Sequence, residues 1–327
     1  MLATPKIIAV ILNWNELDVT IRCISSLLNQ GNVNIDILLI DNNSKDDPTF
    51  FLREKFPSII VTRNKENLGV AGGRNIGISY ALEKNYEYVL IFDNDAWADS
   101  NMVSFLLNAA EKYKDTAVFG PKILLTRHPN VIWRAGCTSW KWTYLHAGYQ
   151  IVSHFFRLLK RPIPEIFDTV RGEGQIDRGQ YDQVEDISFQ IGCAQFIRTS
   201  AFSEVGLLDI TFSPYGSEDI DFCERLTKKG WKIKYIPSAF CWHRVESSFN
   251  DDYNRSYYNS RNILLLARKH LSPIYFAFLF MPDFIFLTIP LISIDALLKK
   301  QKNRLKGFFD ALLWNYRDIR KRRLFLR

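Results

Sequence analysis

The sequence predicts an α/β protein: a mostly parallel central sheet covered by helices on both faces, followed by a helical C-terminal region. Three observations carry this. Strand-like and helix-like patterns alternate over the first 120 residues. The strand-like stretches are near-continuous apolar runs, as expected where both sheet faces are buried. Each run then ends in a short polar cluster.

The elements follow in order. Lys6–Leu12 is an apolar strand, and Glu16–Leu28 has helical spacing with Val19, Cys23, Ile24, Leu27 and Leu28 on one face. Asn34–Ile40 is a second strand, Lys45–Phe56 a short helix and Ser58–Thr62 a third strand. Gly69–Lys84 is a helix with Ile76, Tyr80 and Ala81 facing inward, and Tyr88–Phe92 a fourth strand. The residues after these strands are Asn13, Asp41-Asn42-Asn43, Asn64 and Asp93-Asn94-Asp95. They fall on one predicted edge, the carboxyl edge at which such sheets bind ligands. Two acids one residue apart there are a hard oxygen site for Mg²⁺ or Mn²⁺.

From about 121 to 190 the periodicity is poor, and irregular strands with an insertion are expected. Trp133, Trp140, Trp142, Tyr144, His146 and His154 lie in this stretch, as core or loop packing or as a stacking platform for a sugar. Ile187–Arg198 reads as a strand and Trp231–Ile236 as a short one. Between them, Ser217-Glu-Asp-Ile-Asp221 opens a helix that closes at Lys228-Lys-Gly230, with acids at its N-terminus, bases at its C-terminus and glycine as the stop.

Composition sets limits on function. The 327 residues suffice for one large α/β domain plus an appendage. Residues 299–327 hold 11 Lys/Arg against two Asp, leaving 31 basic and 33 acidic residues for the rest of the chain. A near-neutral body with a basic arm argues against a nucleic-acid footprint and for a local anionic partner at the C-terminus. Residues 271–298 lack Lys and Arg, but the longest uncharged run, Leu271–Pro282, is too short to span a bilayer comfortably. An apolar segment beside an aromatic, basic one fits an interfacial anchor, peripheral or monotopic, on an anionic membrane surface. The alternative is a core helix pair with a solvated tail. Five cysteines without a Cys-x-x-Cys fit a reducing compartment, and the apolar start carries no secretory-type cleavage site.

Several blocks then match a family. They are Val10-Ile-Leu-Asn-Trp-Asn15, Leu39-Ile-Asp-Asn-Asn-Ser44, Asn67-Leu-Gly-Val-Ala-Gly-Gly-Arg-Asn-Ile-Gly77, Asp93-Asn-Asp95, Gly192-Cys-Ala-Gln-Phe-Ile-Arg198, Val205-Gly-Leu-Leu-Asp209 and Tyr215-Gly-Ser-Glu-Asp-Ile-Asp-Phe222. In this order over residues 6–245, the chain resembles glycosyltransferase family 2, and within it the rhamnosyltransferase-type members that build bacterial surface polysaccharides. The resemblance implies the GT-A fold, a Rossmann-like nucleotide-diphospho-sugar transferase architecture. Residues 1–245 would form the catalytic domain, 1–120 binding the donor and 121–245 the acceptor, with 246–327 as the membrane-associating region.

The resemblance also implies roles. Asn13, Asn15, Asp41, Asn43, Asp93 and Asn94 would contact the nucleotide sugar. Gly72, Gly73 and Asn75 would form the donor-binding turn, where glycines admit a close ligand approach. Arg74 would reach the diphosphate, or sit as a solvated helix residue. Asp95 would hold Mn²⁺ or Mg²⁺ directly, with Asp93 and His243 completing the site. Asp219 would be the catalytic base, with Glu218 supporting it or, less favoured, serving in its place. The implied activity is inverting, metal-dependent transfer from a nucleoside-diphosphate donor, dTDP-rhamnose or a UDP-hexose, to a hydroxyl of a lipid-linked or polymeric glycan, at the cytoplasmic face of the membrane. No Gln-x-x-Arg-Trp occurs, which disfavours a processive synthase, and no glycine-rich loop follows the first strand, which disfavours a dehydrogenase. A non-catalytic nucleotide- or glycan-binding protein and a sugar nucleotidyltransferase are the other readings.

Overall fold

Ten strands form one mixed sheet in the computed structural model, which describes residues 5–31, 33–141, 159, 169–245 and 251–324. The chain divides into two units. The first comprises Met1–Ser139, Val170–Pro214 and Glu218–Val245; the second comprises Trp140–Thr169, Tyr215–Ser217 and Glu246–Arg327.

The first unit begins as a β-α-β series: β1 (Ile7–Asn13), α1 (Leu17–Leu28), β2 (Asp36–Asp41), α2 (Thr49–Lys55), β3 (Ile60–Arg63), α3 (Gly69–Glu83) and β4 (Tyr88–Asp93). β5 (Ala96–Ala98), α4 (Met102–Lys112), β6 (Thr116–Leu125), β7 (Ile132–Arg134), β8 (Glu185–Asp186), β9 (Ala194–Arg198) and β10 (Lys232–His243) follow, with helices at Ser200–Val205 and Glu218–Lys228 between the last two strands. The order β3-β2-β1-β4 is parallel throughout. β9 enters antiparallel to both β4 and β6, β10 runs parallel to β6, and β5 closes the edge antiparallel to β10. The apolar strands bury both faces, as their composition requires: Ile8, Ala9, Ile11, Leu39, Ile40, Val89 and Leu90 are all fully buried.

The structure corrects several expectations. Leu28, at the end of α1, is exposed; Ile76 is exposed and Tyr80 only half-buried because α3 turns Ala71, Gly73, Arg74, Gly77, Ile78 and Ala81 inward instead. Of the strand read over Ile187–Arg198, only Ala194–Arg198 is paired as one. β6 runs through Gly120-Pro121-Lys122, into the stretch where the periodicity is poor. The strand read as ending at Ile236 continues to His243 past an irregularity between Ile236 and Phe240, beside Pro121 of β6. That extension carries the chain to the site.

In the second unit, helices Asp252–His270 and Lys302–Leu324 pack together. They cross closely at Gly307, where a Cβ would lie 2.3 Å from the Tyr253 carbonyl oxygen. Phe308 and Ala311 are fully buried, whereas Phe309, Leu313 and Tyr316 are exposed, so the basic arm is a packed helix and not a solvated tail. Pro273–Leu298 is one continuous 26-residue helix, long and apolar enough by length and composition to cross a membrane. The uncharged run that reads as too short ends at Asp283, but the helix does not stop there. Instead, the helix passes Pro282 and Pro290 with widened π-type turns at Phe276–Phe280 and Phe284–Thr288, which accommodate the missing N–H groups.

Candidate active site

The parallel strands bring their polar ends together by register: Asn13 pairs with Asp41, Leu12 with Asp93 and Asp41 with Arg63. Asp41 is fully buried. Its carboxylate accepts from Asn13 Nδ2 at 2.8 Å, Ser44 Oγ at 2.5 Å and the Ser44 N–H at 3.1 Å, with Arg63 Nε 3.6 Å away. Asn13 Oδ1 accepts in turn from Thr20 Oγ1. Asn15 holds a left-handed conformation (φ 58°) and accepts from the Lys45 N–H at 2.7 Å, while Asn43 (φ 64°) is exposed. Asp41 therefore orders the turn that presents Asn15 and Asn43.

The glycine-rich segment packs closely against its neighbours. A Cβ on Gly73 would lie 2.4 Å from Leu12 Cδ1, and one on Gly77 2.3 Å from Val10 Cγ1. These glycines, with Gly72 against the Leu68 side chain, let α3 settle onto β1 and its own first turn. Gly69 takes φ +70° against the Pro214 backbone. Asn75 exchanges two hydrogen bonds with the Leu208 backbone and so ties α3 to the 205–209 loop.

Arg74 is neither solvated nor free: it is 5% exposed. Its guanidinium donates to Asp93 Oδ1 at 2.5 Å, to Glu218 Oε1 at 3.1 Å and to the Gly192 carbonyl at 3.0 Å. A side chain at position 192 would collide with it, since a Cβ there would lie 2.6 Å from Nη1. One buried cation thus joins the carboxylate at the end of β4 to the acid pair more than a hundred residues away.

The β10–β5 pairing sets His243 opposite Ala96, and the Arg244 N–H donates to the Asp95 carbonyl. As a result His243 Nε2 lies 3.0 Å from Asp95 Oδ1 and 3.7 Å from Asp93 Oδ2. Trp133 stacks on the imidazole with centroids 4.5 Å apart. Burial pulls the imidazole pKa down, but Cys193 and Asp95 outweigh it and hold it well above its ordinary value. His243 Nδ1 is buried and has no hydrogen-bond partner. Two carboxylates flank one imidazole here, with Asp93 still partly open, and offer oxygen and nitrogen donors of the kind that divalent ions such as Mn²⁺ or Mg²⁺ take. Asn94 points elsewhere, donating to Thr20 Oγ1.

Asp219 and Glu218 start the Glu218–Lys228 helix, and both are buried. The Asp219 oxygens accept from the Gly192 and Ile220 N–H groups, each at 2.8 Å. Burial raises its carboxyl pKa above the ordinary value, against those two donors and Arg74. Asp221 is fully buried and pairs with Arg225, whose guanidinium also caps the Val205 and Leu207 carbonyls.

The structure thus gathers Asp93, Asp95, His243, Arg74, Glu218 and Asp219 into one connected network. Thr20, Ser44, Gly192 and Trp133 also hold the site in place, although no spacing rule points to them. Trp140 is buried against His270, while Trp142, Tyr144, His146 and His154 lie outside the described residues.

Comparison with known proteins places this geometry. The model of glycosyl transferase family 2 matches residues 8–206, and that of glycosyl transferase family group 2 matches residues 166–314. An N-acetylglucosaminyl-diphospho-decaprenol L-rhamnosyltransferase of Mycobacterium tuberculosis is 22% identical over 246 residues, covering 72% of this chain and 76% of that protein. Glycosyltransferase GlyG of Streptococcus pneumoniae is 29% identical over 105 residues, covering 31% of this chain and 33% of the relative. A crystal structure of GalNAc-T7 with UDP, GalNAc and Mn²⁺ superposes with a TM-score of 0.58 at 16% identity, covering 82% of this chain and 48% of that one, which shows the shared GT-A fold. The chain belongs to glycosyltransferase family 2 and is a glycosyltransferase that uses nucleotide-sugar donors.

Proposed function

We propose that this enzyme is an inverting, metal-dependent transferase that moves a sugar from dTDP-rhamnose or a UDP-hexose to a hydroxyl of a lipid-linked or polymeric glycan. The observation that carries the metal reading is the convergence of Asp93 and Asp95 on His243 Nε2, at 3.7 and 3.0 Å, from strands far apart in sequence. A divalent ion held there offsets negative charge on the diphosphate as it leaves. Asp95 and His243 bind it, while Asp93 orients against both His243 and Arg74. Asn13, Asn15, Asp41, Asn43 and Asn94 shape the donor pocket at the strand ends. Arg74, Asn75 and the packing glycines hold that pocket's floor.

Asp219 takes the proton of the acceptor hydroxyl, whose oxygen displaces the nucleoside diphosphate at the anomeric carbon in one step. Its raised pKa suits a base, and its oxygens accept from backbone N–H groups where the Glu218 carboxylate pairs with Arg74. The rhamnosyltransferase name of the mycobacterial relative supports a deoxyhexose donor and a polyprenyl-linked acceptor. The Pro273–Leu298 helix, about 39 Å long at 1.5 Å per residue, supports membrane association. The basic Lys302–Leu324 helix supports the anionic, cytoplasmic face.

A donor panel with Mn²⁺ or Mg²⁺, scored by thermal shift and by nucleotide release, tests the reading. The expected product is nucleoside diphosphate with inverted linkage. Pyrophosphate release, or full activity in EDTA, contradicts it. Carbonate extraction of membranes then separates a spanning helix, which stays in the pellet, from a surface anchor, which is released.

A further inference from the structure

We propose that the Asp93/Asp95/His243 centre has a second metal-binding mode, in which the Cys193 thiolate joins it and a thiophilic ion such as Zn²⁺, Co²⁺ or Cd²⁺ is held. The proposal rests on the reading of that centre as a metal site. The β4–β9 pairing sets Cys193 there: the Asp93 N–H donates to the Cys193 carbonyl, and Phe92 pairs with Ala194. Asp93, Cys193 and His243 each offer one ligand atom, and these atoms lie within 4.8 Å of one another. The Asp95 carboxylate lies beside this group, with Oδ1 3.0 Å from His243 Nε2.

Cys193 is 2% exposed and His243 8%, and the imidazole keeps a buried nitrogen, Nδ1, without a partner. Oxygen, nitrogen and sulfur donors together favour thiophilic ions, whereas Mg²⁺ and Mn²⁺ take the oxygen-rich subset. Zinc-type bond lengths of about 2.0–2.3 Å put ligand atoms roughly 3.5 Å apart, so the group contracts from within 4.8 Å as the ion binds. The thiol proton leaves to solvent as the metal–sulfur bond forms. Sulfur in one coordination position, with the Asp95 carboxylate beside it, leaves less room for a diphosphate, so the sulfur-bound form is an inhibited one.

The full-length enzyme is titrated with Co²⁺ while absorbance is followed in the near-ultraviolet, where Co²⁺–thiolate charge transfer falls. Mn²⁺ binding is measured in parallel by electron paramagnetic resonance. The expected result is a charge-transfer band in the wild type that is lost in Cys193→Ser and retained in Cys241→Ser. Mn²⁺ affinity should stay nearly unchanged in Cys193→Ser, while Zn²⁺ affinity falls at least about 10-fold. X-ray absorption of the Zn²⁺-loaded wild type needs no variant and should show one sulfur neighbour at about 2.3 Å. Co²⁺ binding without the band, or zinc without a sulfur neighbour, overturns the sulfur mode and leaves the Mn²⁺ site standing. A band that persists in Cys193→Ser overturns the assignment to Cys193. Failure of Mn²⁺, Co²⁺ and Zn²⁺ all to bind overturns the metal reading itself.

Discussion

Two strand ends of the same parallel sheet carry aspartates that look alike in sequence and differ in the fold. Asp41, at the end of β2, is fully buried, and its oxygens are shared among Asn13, Ser44 and Arg63. Asp93, at the end of β4, keeps a third of its side chain exposed and divides its oxygens between Arg74 and His243. The neighbours of Asp41 come from the adjacent strand and its own turn. Those of Asp93 come from α3 and from β10, 150 residues further along the chain. A carboxylate satisfied by near neighbours builds a turn, while one that stays partly open and is met by distant partners is a candidate for a reaction site.

Mutation tests that contrast, and the largest effect is expected beyond both strand ends. Asp219→Asn should lower kcat by about 10²–10⁴-fold with donor affinity nearly intact, as measured by turnover and calorimetry. Unchanged turnover removes Asp219 as the base. Because burial raises the Asp219 pKa, its protonated form persists to higher pH than for an exposed aspartate. The rate should therefore fall, as pH drops, through a value above the ordinary carboxylate range. An acid limb at the ordinary value would contradict this.

Asp95→Ala should weaken Mn²⁺ binding more than any change at Asp41 does. Equal losses at the two positions would erase the contrast. Arg74→Lys keeps the charge but loses the fork that spans Asp93, Glu218 and the Gly192 carbonyl. It should lower metal affinity by about 10–100-fold, as outer ligand partners do elsewhere. Asp41→Asn, by contrast, should cost about 1–3 kcal/mol of stability, with Mn²⁺ affinity preserved. The smallest effect is expected at Gly73→Ala, where the added methyl presses on Leu12 Cδ1. Denaturant midpoints should report roughly 1–2 kcal/mol, toward the low end for overpacking because a leucine tip can move. A Gly73→Ala enzyme that folds normally but loses donor binding would return this glycine to the donor-binding role that the resemblance implied.

The alternating pattern was legible up to residue 120 because buried parallel strands must be apolar along their whole length. It failed at β6 and β10, where Pro121 and Pro237 sit inside strands. The paired irregularity at these prolines lets both strands continue, and periodicity alone does not reveal a pairing partner. Asp283, which ends the uncharged run, and Pro282 and Pro290 do not end the apolar helix either, since widened turns around the prolines keep it intact.

The sequence alone determined the type of sheet, the edge on which the polar strand ends lie, and the identities of the acids and the histidine. Their side-chain chemistry is local, and the order of the blocks along the chain preserves it. Only the tertiary structure decided which acid each partner meets. It made Arg74, read as a diphosphate contact or a solvated helix residue, a buried bridge, packed the glycines of α3 against their neighbours, and set Cys193 beside Asp93 and His243. Those outcomes depend on the antiparallel entry of β9 and the final residues of β10. Such long-range pairings arise from the folding of the whole sheet, and no local stretch of residues encodes them.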